Sequence, residues 1–299
     1  MDKLEKLFKD PYYVFGRYLK KNFPKLMSDK YFLKVLWMQC NGYELNLDKP
    51  QTFNEKLQWL KLHDRKPLYP TLVDKLLVKD WVASKIGVEY IIPTLEVYYS
   101  VNDIELQTLP DQFVLKCNHD SGNVVICRDK SKFSFESAKR ELKKALDSNY
   151  YWNSREWPYK SIKKRVFAEK LLIQDGSEND IRDYKWFCFN GEPKYCQVIQ
   201  DRNTHETIDF FDANWHHQEF IGLNLHTSNA VLEIKRPKRI ETMLSISRIL
   251  SKDIPFARID LYEIESKVYF GEITLYPMSG FGGFNPTKWD AFLGGMIPI

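Results

Sequence analysis

Several large functional classes are excluded by what this 299-residue chain lacks. No apolar run approaches the roughly 18 residues of a membrane span, so an integral membrane protein is not expected. The first residues, MDKLEKLFKD, contain no apolar h-region, so neither is a secretory leader. The five cysteines (Cys40, Cys117, Cys127, Cys188 and Cys196) form no C-x-x-C, and no Cys/His spacing suits zinc. Their odd number and apolar or strand-like neighbours point to buried free thiols in a reducing cytosol, hence a cytoplasmic protein. There is no G-x-x-x-x-G-K-[ST], no H-E-x-x-H and no G-x-S-x-G. No two aspartates lie two positions apart, so the D-x-D of many nucleotide-sugar glycosyltransferases is missing. Repeats and low-complexity tracts are absent. Excess charge is scarce too: 44 Lys+Arg against 40 Asp+Glu leave +4, too little for a dedicated nucleic-acid binder.

What is present is ordinary globular composition, 43% hydrophobic and 28% charged, enough for one large domain or two modest ones. Aromatics reach 15%, which suits clefts and polar-tipped core packing. The positive excess is localised. Residues 1–30 hold eight basic and four acidic residues, so the remainder sums to zero. Two readings stand: a basic amphipathic start that touches an anionic membrane surface, or a solvated helix face.

The patterning predicts α+β architecture with antiparallel sheets. It lacks the alternating βαβ rhythm of a doubly wound nucleotide fold. A helical, loop-rich region is expected over 1–72. A helix follows over Asp74–Ile86, with Leu76, Leu77, Val78, Trp81, Val82 and Ile86 on a broad face and Gly87 as the stop. Short strands are expected at Tyr90–Ile92 and Glu96–Tyr99, then a hairpin, Phe113–Lys116 and Val124–Cys127, around the polar turn CNHDSGN. A polar helix over Ser134–Asp147 and a strand over Val166–Ile173 complete a segment 73–173. The small, polar residues of Gln174–Arg182 suggest a hinge into 174–299. There, Tyr184–Phe189 and Lys194–Ile199 flank an Asn-Gly turn, Thr207–Phe211 is a strand and Ile240–Ser251 an amphipathic helix. Phe256–Tyr262 and Lys267–Thr274 form the last hairpin.

That hairpin carries the most chemistry. Period-2 alternation puts Arg258, Asp260 and Tyr262 on one face, and Val268, Phe270, Glu272 and Thr274 on one face of the partner strand. A turn centred on Ser266 sets Asp260 opposite Glu272, about 5 Å apart, with a repulsion of about 3 kcal/mol at an effective dielectric near 20. A cation then compensates or one acid is protonated. Arg258 could neutralise one of them, and a hard divalent ion both. A solvated surface hairpin with two harmless acids is the competing reading. Lys116 ends an apolar strand before a turn bearing Asn118, His119, Ser121 and Gly122, a setting able to hold phosphate; read alone, with a single glycine in the turn, the exposed strand end is the favoured reading. Glu169-Lys170-Leu171-Leu172 could offer backbone groups to an adenine edge, or be a plain core strand. His216-His217 point to opposite faces of a strand, and His119 suits a hydrogen-bonded turn.

Taken in order, Asp74-Lys75 at a helix start, FVLKCNHDSGN, EKLL, and an R-x-D hairpin closed by GEIT resemble the ATP-grasp superfamily. The stretches KPQTFNEKLQWLKLHD, DYKWFCFNGEP, FGEITLYPMSGF and NPTKWDAFLG are similar to the TupA-like ATP-grasp family of bacterial surface-polysaccharide loci, whose members are often labelled glycosyltransferases. The resemblance implies two lobes grasping ATP. Lys75 and Lys116 would bind phosphates under the Ser121-Gly122 loop, and Glu169, Lys170, Leu171 and Leu172 would line the adenine pocket. Asp260 and Glu272 would hold Mg²⁺ (or Mn²⁺), Arg258 would stabilise the transferred phosphoryl group, and Lys185 would point into the cleft. Thr274 stands where the superfamily usually has a metal-contacting Asn, which leaves the ion count open.

The implied reaction is carboxylate–amine ligation through an acyl phosphate, on a uronic acid or other acid of a surface polysaccharide. The partners would be a small-molecule or lipid-linked glycan and an amine, without nucleic acid. A nucleotide-sugar glycosyltransferase, an ATP-dependent sugar phosphotransferase and a non-enzymatic assembly protein are the other hypotheses.

Overall fold

The computed structural model describes residues 11–173, 181–200, 206–231 and 233–299. The chain opens with helices α1 (Pro11–Asn22), α2 (Asp29–Asn41), α3 (Phe53–His63), α4 (Tyr69–Val73) and α5 (Leu77–Ile86). Local chemistry sets their ends. Ser28 caps α2 by accepting from the Tyr31 N–H, and Gly42, at φ 77°, closes it. Thr52 and Glu55 form a reciprocal capping box at the start of α3. The helix expected from Asp74 begins only at Leu77. Asp74 Oδ1 accepts from the N–H groups of Leu76 (2.9 Å) and Leu77 (3.2 Å), which holds Asp74-Lys75 outside the helix. Gly87 does stop it, at φ 108°, donating to the Ala83 carbonyl. The apolar face is narrower than expected, because Leu77 is exposed while Val78 and Val82 are buried.

The first sheet contains β1 (Thr94–Tyr98), β2 (Phe113–Cys117), β3 (Val124–Cys127) and, after helices α6 (Phe135–Asp147) and α7 (Tyr151–Ser154), β4 (Val166–Lys170). Its order is β1-β4-β2-β3, antiparallel throughout. Leu142 of α6 packs with Phe113, Leu115, Val166 and Ala168 on its inner face. The strand expected at Tyr90–Ile92 is not formed; Val88–Tyr90 is a 3₁₀ turn leading to β1.

The second sheet takes β5 (Asp183–Phe189), β6 (Glu192–Gln200), β7 (Thr207–Asp212) and β8 (His217–Gln218). The chain continues through β9 (Ile221–Leu223), helix α8 (Ile240–Ser251), β10 (Phe256–Ile264), β11 (Lys267–Thr274), β12 (Gly283–Asn285) and α9 (Lys288–Gly294). The order is β11-β10-β5-β6-β7-β8, with β9 and β12 as a separate pair. Asn190 (φ 49°) and Gly191 (φ 80°) make the two-residue turn between β5 and β6.

Phe53, Leu57 and Leu60 of α3 and Val78 and Val82 of α5 share one core with Phe187, Phe189, Phe256 and Leu250. The rings of Phe53 and Phe256 meet edge-on at 4.9 Å. Packing therefore does not follow a division at 72/73: α3 to α5 belong with the second sheet, and the first sheet spans residues 94–170. Of the expected hinge Gln174–Arg182, residues 174–180 lie outside the described residues. Cys40 is exposed, against the expectation of burial, while the other four cysteines are buried and free.

The last hairpin reaches its register by an unexpected route. Glu265 (φ 50°) and Ser266 (φ 62°) form the turn together, so Ile264 pairs with Lys267 and Leu261 with Phe270. Continued without interruption, that register would place Asp260 opposite Gly271. A bulge between Asp260 and Leu261 absorbs one residue and restores Asp260 opposite Glu272. It also inverts the alternation. Val268 and Phe270 face the core and Ile273 joins them, so Glu272 and Thr274 stand on the other face, beside Arg258 and Asp260. The expectation that Phe270 and Glu272 share a face is corrected by this extra residue. A Cβ on Gly271 would lie 3.0 Å from the Asp260 carbonyl oxygen and 3.0 Å from the Tyr262 ring, so only glycine fits the bulge without displacement. Gly271→Val is expected to cost about 2 kcal/mol, the usual cost of overpacking, seen as a lower urea midpoint at unchanged m-value.

Candidate active site

Between the two sheets lies a cleft of about 400 Å³, within the range of small-ligand sites. Its lining joins residues distant in sequence: Lys75 and Lys79, Lys116 on β2, Ser121 and Gly122, Glu169 on β4, Lys185 on β5, and Arg258, Asp260 and Glu272 on the last hairpin.

One wall is cationic. Lys116 and Lys79 both donate to Glu169, Lys79 Nζ at 2.9 Å from Oε2 and Lys116 to Oε1. Burial pushes the Glu169 carboxyl up, but the two ammonium groups outweigh it and hold the group below its ordinary value. Burial lowers Lys79, with Glu169 opposing. Lys75 donates to the Asp120 carbonyl and lies 3.6 Å from its carboxylate. Asn118 knits these segments together. It donates to Asp74 Oδ2 at 2.8 Å and to the Lys163 carbonyl at 3.0 Å, and accepts from the Arg165 N–H at 2.7 Å. Beyond it, Ser121 and Gly122 are exposed; Gly122 needs its glycine for φ 90°, with nothing crowding the missing Cβ. His119 is buried and bonded to the Ala145 carbonyl, as a turn histidine should be.

The opposite wall is acidic. Asp260 is cross-strand partner to both Lys185 and Glu272. Arg258 contacts Asp260 through Nε and Nη2, both at 2.7 Å, and reaches Glu272 Oε1 and Thr274 Oγ1 from Nη2 at 3.0 Å each. The Thr274 hydroxyl also donates to Glu272 Oε1 at 3.2 Å. Lys185 bonds Asp260 and lies 3.5 Å from Asp183. Burial pushes the Asp260 carboxyl up against the pull of Arg258 and Lys185. Burial acts the same way on Glu272, but Lys185, Arg258 and Lys75 overcome it and hold the carboxyl down at about 2. The Glu272 side chain keeps 38% of its surface exposed, so the group is ionised and reachable from the cleft.

The cleft is thus polarised. Lys75, Lys79 and Lys116 outnumber the two carboxylates they meet on their own wall, Glu169 and Asp120. Lys185 and Arg258 on the other wall are outnumbered by Asp183, Glu206, Asp260 and Glu272. Anionic groups are favoured on the first side and a cation on the second. Between them lie the apolar side chains of Phe167, Ile199, Ile208 and Leu223.

Of the residues singled out from sequence, Lys75, Lys116, Ser121, Gly122, Glu169, Lys185, Arg258, Asp260 and Glu272 line this one cavity, and Thr274 bonds into it. Lys170 and Leu171 do not; they border a separate hollow with Leu95, Pro110 and Arg128. Leu172 lines neither. Glu169 enters the cleft through its carboxylate, as partner of two lysines, and not as the backbone edge expected. Lys79 was missed, although its place four residues after Lys75 was a readable signal. His216 and His217 bond separate aspartates, Asp212 and Asp209.

Met278, mostly exposed, borders the cleft from a loop in which Met278 (φ 48°) and Ser279 (φ 53°) both hold left-handed conformations. That strain needs an external hold. Lys61, wholly buried, donates to the carbonyls of Ser279 (2.8 Å) and Ser154 (2.9 Å), and Gln58 donates to those of Ser279 (3.0 Å) and Gly280 (2.7 Å). The Ser279 hydroxyl donates to buried Glu156 at 2.6 Å. Burial draws the Lys61 ammonium down to about 8, with Glu156 opposing.

This two-sheet cleft, with lysines on one side and a carboxylate-bearing hairpin on the other, is an ATP-grasp fold. A model of the TupA-like ATP-grasp family matches residues 55–298, and the chain belongs to that family. Solved structures also align with it. One is a D-alanine–D-alanine ligase from Bacillus anthracis complexed with ATP, at 19% identity over 70% of this chain and 55% of that one, TM-score 0.39. Another is the corresponding ligase from Helicobacter pylori, at 17% over 82% and 69%, TM-score 0.39. A third is the ATP-grasp ligase PsnB complexed with minimal precursor, Mg and ADP, at 8% over 89% and 66%, TM-score 0.40. The chain therefore spans 55% to 69% of the length of these proteins. A search of curated proteins found no match.

The Glu169 triad has a pH signature. Its carboxyl is held below the ordinary glutamate value of about 4.3, so its stabilisation is present above that pH and is lost as pH falls through the lower folded-state value. Glu169→Gln is expected to cost about 3 kcal/mol near neutrality, by leaving two lysines without their partner. The gap from wild type should close as urea denaturation is repeated from pH 6 down to pH 3.

Proposed function

We propose that the protein is an ATP- and Mg²⁺-dependent carboxylate–amine ligase. The observation that carries this is the opposed polarity of the cleft walls, which suits a polyphosphate on one side and its metal ion on the other. Lys75, Lys79 and Lys116 take the phosphate charge, and the Ser121-Gly122 loop covers it with backbone N–H groups. Phe167, Ile199, Ile208 and Leu223 offer the apolar slot for the base, a role the Lys170–Leu172 stretch is poorly placed to fill.

The residues fit a divalent ion. Asp260 Oδ2 and Glu272 Oε1 converge on one nitrogen of Arg258, at 2.7 and 3.0 Å. Among the described residues no group of three His, Cys, Asp or Glu could hold a metal. Asp260 and Glu272 would hold such an ion, whose remaining ligands would be substrate oxygens and water, as suits Mg²⁺, and Mn²⁺ is expected to substitute. When bound, the ion neutralises phosphate charge and orients the terminal group. Thr274 is committed to Arg258 and Glu272, which favours fewer protein ligands than an asparagine there would give.

In the reaction, a substrate carboxylate oxygen attacks the γ-phosphorus and the bond to ADP breaks, leaving an acyl phosphate. An amine nitrogen then attacks the acyl carbon, phosphate departs and the nitrogen loses a proton. The protein contributes position and charge. Arg258 and Lys185 face the transferred phosphoryl group, and the lysine wall holds the leaving diphosphate. The family resemblance supports a uronic acid or another acid of a bacterial surface polysaccharide, free or lipid-linked, as the acceptor, and an intracellular site of action.

The test is product analysis with ATP, Mg²⁺ and a panel of uronic acids and amines. ADP release that requires both an acid and an amine supports ligation. ADP release with a neutral sugar alone, its hydroxyl taking the phosphoryl group, would make the protein a phosphotransferase, and UDP-sugar turnover without ATP a glycosyltransferase. Glu272→Gln is expected to lower ATP turnover about 10²-fold or more with the circular dichroism spectrum unchanged; normal turnover with normal Mg²⁺ dependence would sink the metal assignment. Lys116→Ala should weaken ATP binding about tenfold or more by calorimetry, and unchanged affinity would remove Lys116 from the phosphate site.

A further inference from the structure

Outside the cleft, the strongest unassigned feature is the surface of α1 and the turn after it. Gly16 and Leu19 turn α1 toward its neighbours, Leu19 packing against the cluster of Met27, Phe32 and Val35. The outer face is the reverse of what a solvated helix shows. Phe15 and Tyr18 are 57% and 55% exposed, and Leu26, just beyond, is 79% exposed. Val14 and Phe23 are exposed with them, and the Phe23 ring lies 6.2 Å from that of Tyr18. Arg17, Lys21 and Lys25 are exposed among these apolar groups.

The charge is one-sided. Between Pro11 and Ser28 the chain has Arg17, Lys20, Lys21 and Lys25 and no acidic residue. Asp29, the next acid, is turned inward to Arg65 (2.8 Å) and Tyr151. Residues 1–10 carry three lysines against three acids, so they add no net charge. An aromatic and aliphatic strip flanked by arginine and lysine, with no acid between Pro11 and Ser28, has the composition of an interfacial segment. No described helix is long and apolar enough to cross a membrane, so the contact is peripheral.

We infer that this face, Val14 to Leu26, docks the protein on an anionic lipid surface, the rings entering the headgroup boundary and the cations pairing with lipid phosphates. The inference is independent of the ligase reading, because none of these residues lines the cleft.

The experiment is co-sedimentation of the full chain with vesicles of phosphatidylcholine alone and of phosphatidylcholine with 30% phosphatidylglycerol, at low and physiological salt. Binding is expected to be at least tenfold tighter to the anionic vesicles and to weaken with salt. Arg17→Glu with Lys21→Glu should reduce it at least about tenfold, since each surface cation near anionic lipid contributes roughly fivefold. Phe15→Ser with Tyr18→Ser should also reduce it, while both variants keep the wild-type melting temperature because the side chains are exposed. Equal or absent binding to both vesicle types overturns the inference. So does binding that survives the aromatic pair, or a concentration-dependent dimer in analytical ultracentrifugation that the aromatic pair abolishes, which would assign the face to a second copy.

Discussion

The cleft depends on one half-buried guanidinium. Arg258 grips Asp260 through two nitrogens and extends to Glu272 and Thr274, so four side chains from two strands act as one unit. Without it, two neighbouring carboxylates would repel, and burial of Asp260 would favour protonation of one of them. With it, Glu272 stays ionised. Lys185, on the adjoining strand, closes the set from the far side of Asp260. The geometry that lets Arg258 reach all three is supplied by the Gly271 bulge, which brings Glu272 onto the cleft face of the sheet. Backbone irregularity and side-chain electrostatics are therefore a single device here.

The first wall follows a parallel logic with the signs reversed. Two lysines close on one carboxylate, Glu169, and a third lysine is tied to the loop that carries Ser121 and Gly122. Each wall is internally compensated in part and keeps a surplus facing the other. A metal-bound polyphosphate meets both surpluses, whereas a neutral ligand meets neither.

Much of this was legible in sequence because strand periodicity is strict. Alternation of two grouped Arg258 with Asp260, and the Asn-Gly turn fixed the β5–β6 hairpin. The carboxylate pair was also found, but its register came from two compensating departures, a turn centred half a residue earlier and one bulged residue. Gly271 inside an otherwise continuous strand was the visible mark of that bulge, and it was passed over. Glu169 lines the cleft, yet its sequence context suggested only a backbone role, since its partner Lys79 lies 90 residues away and only folding brings the two together. Asp74 likewise read as helix because periodicity takes no account of a side chain that captures the next backbone N–H groups.

The hold on Ser279 reaches further than its own loop. Lys61 and Gln58 belong to α3, a segment that reads as a mere preamble to the two sheets, yet the Lys61 ammonium and the Gln58 side-chain amide fix the carbonyls of the strained turn beside the cleft. The cleft is consequently not shaped by the two sheets alone. A fragment trimmed to begin at Lys75 would keep every residue that lines the cleft and still leave one rim of the crevice without its brace.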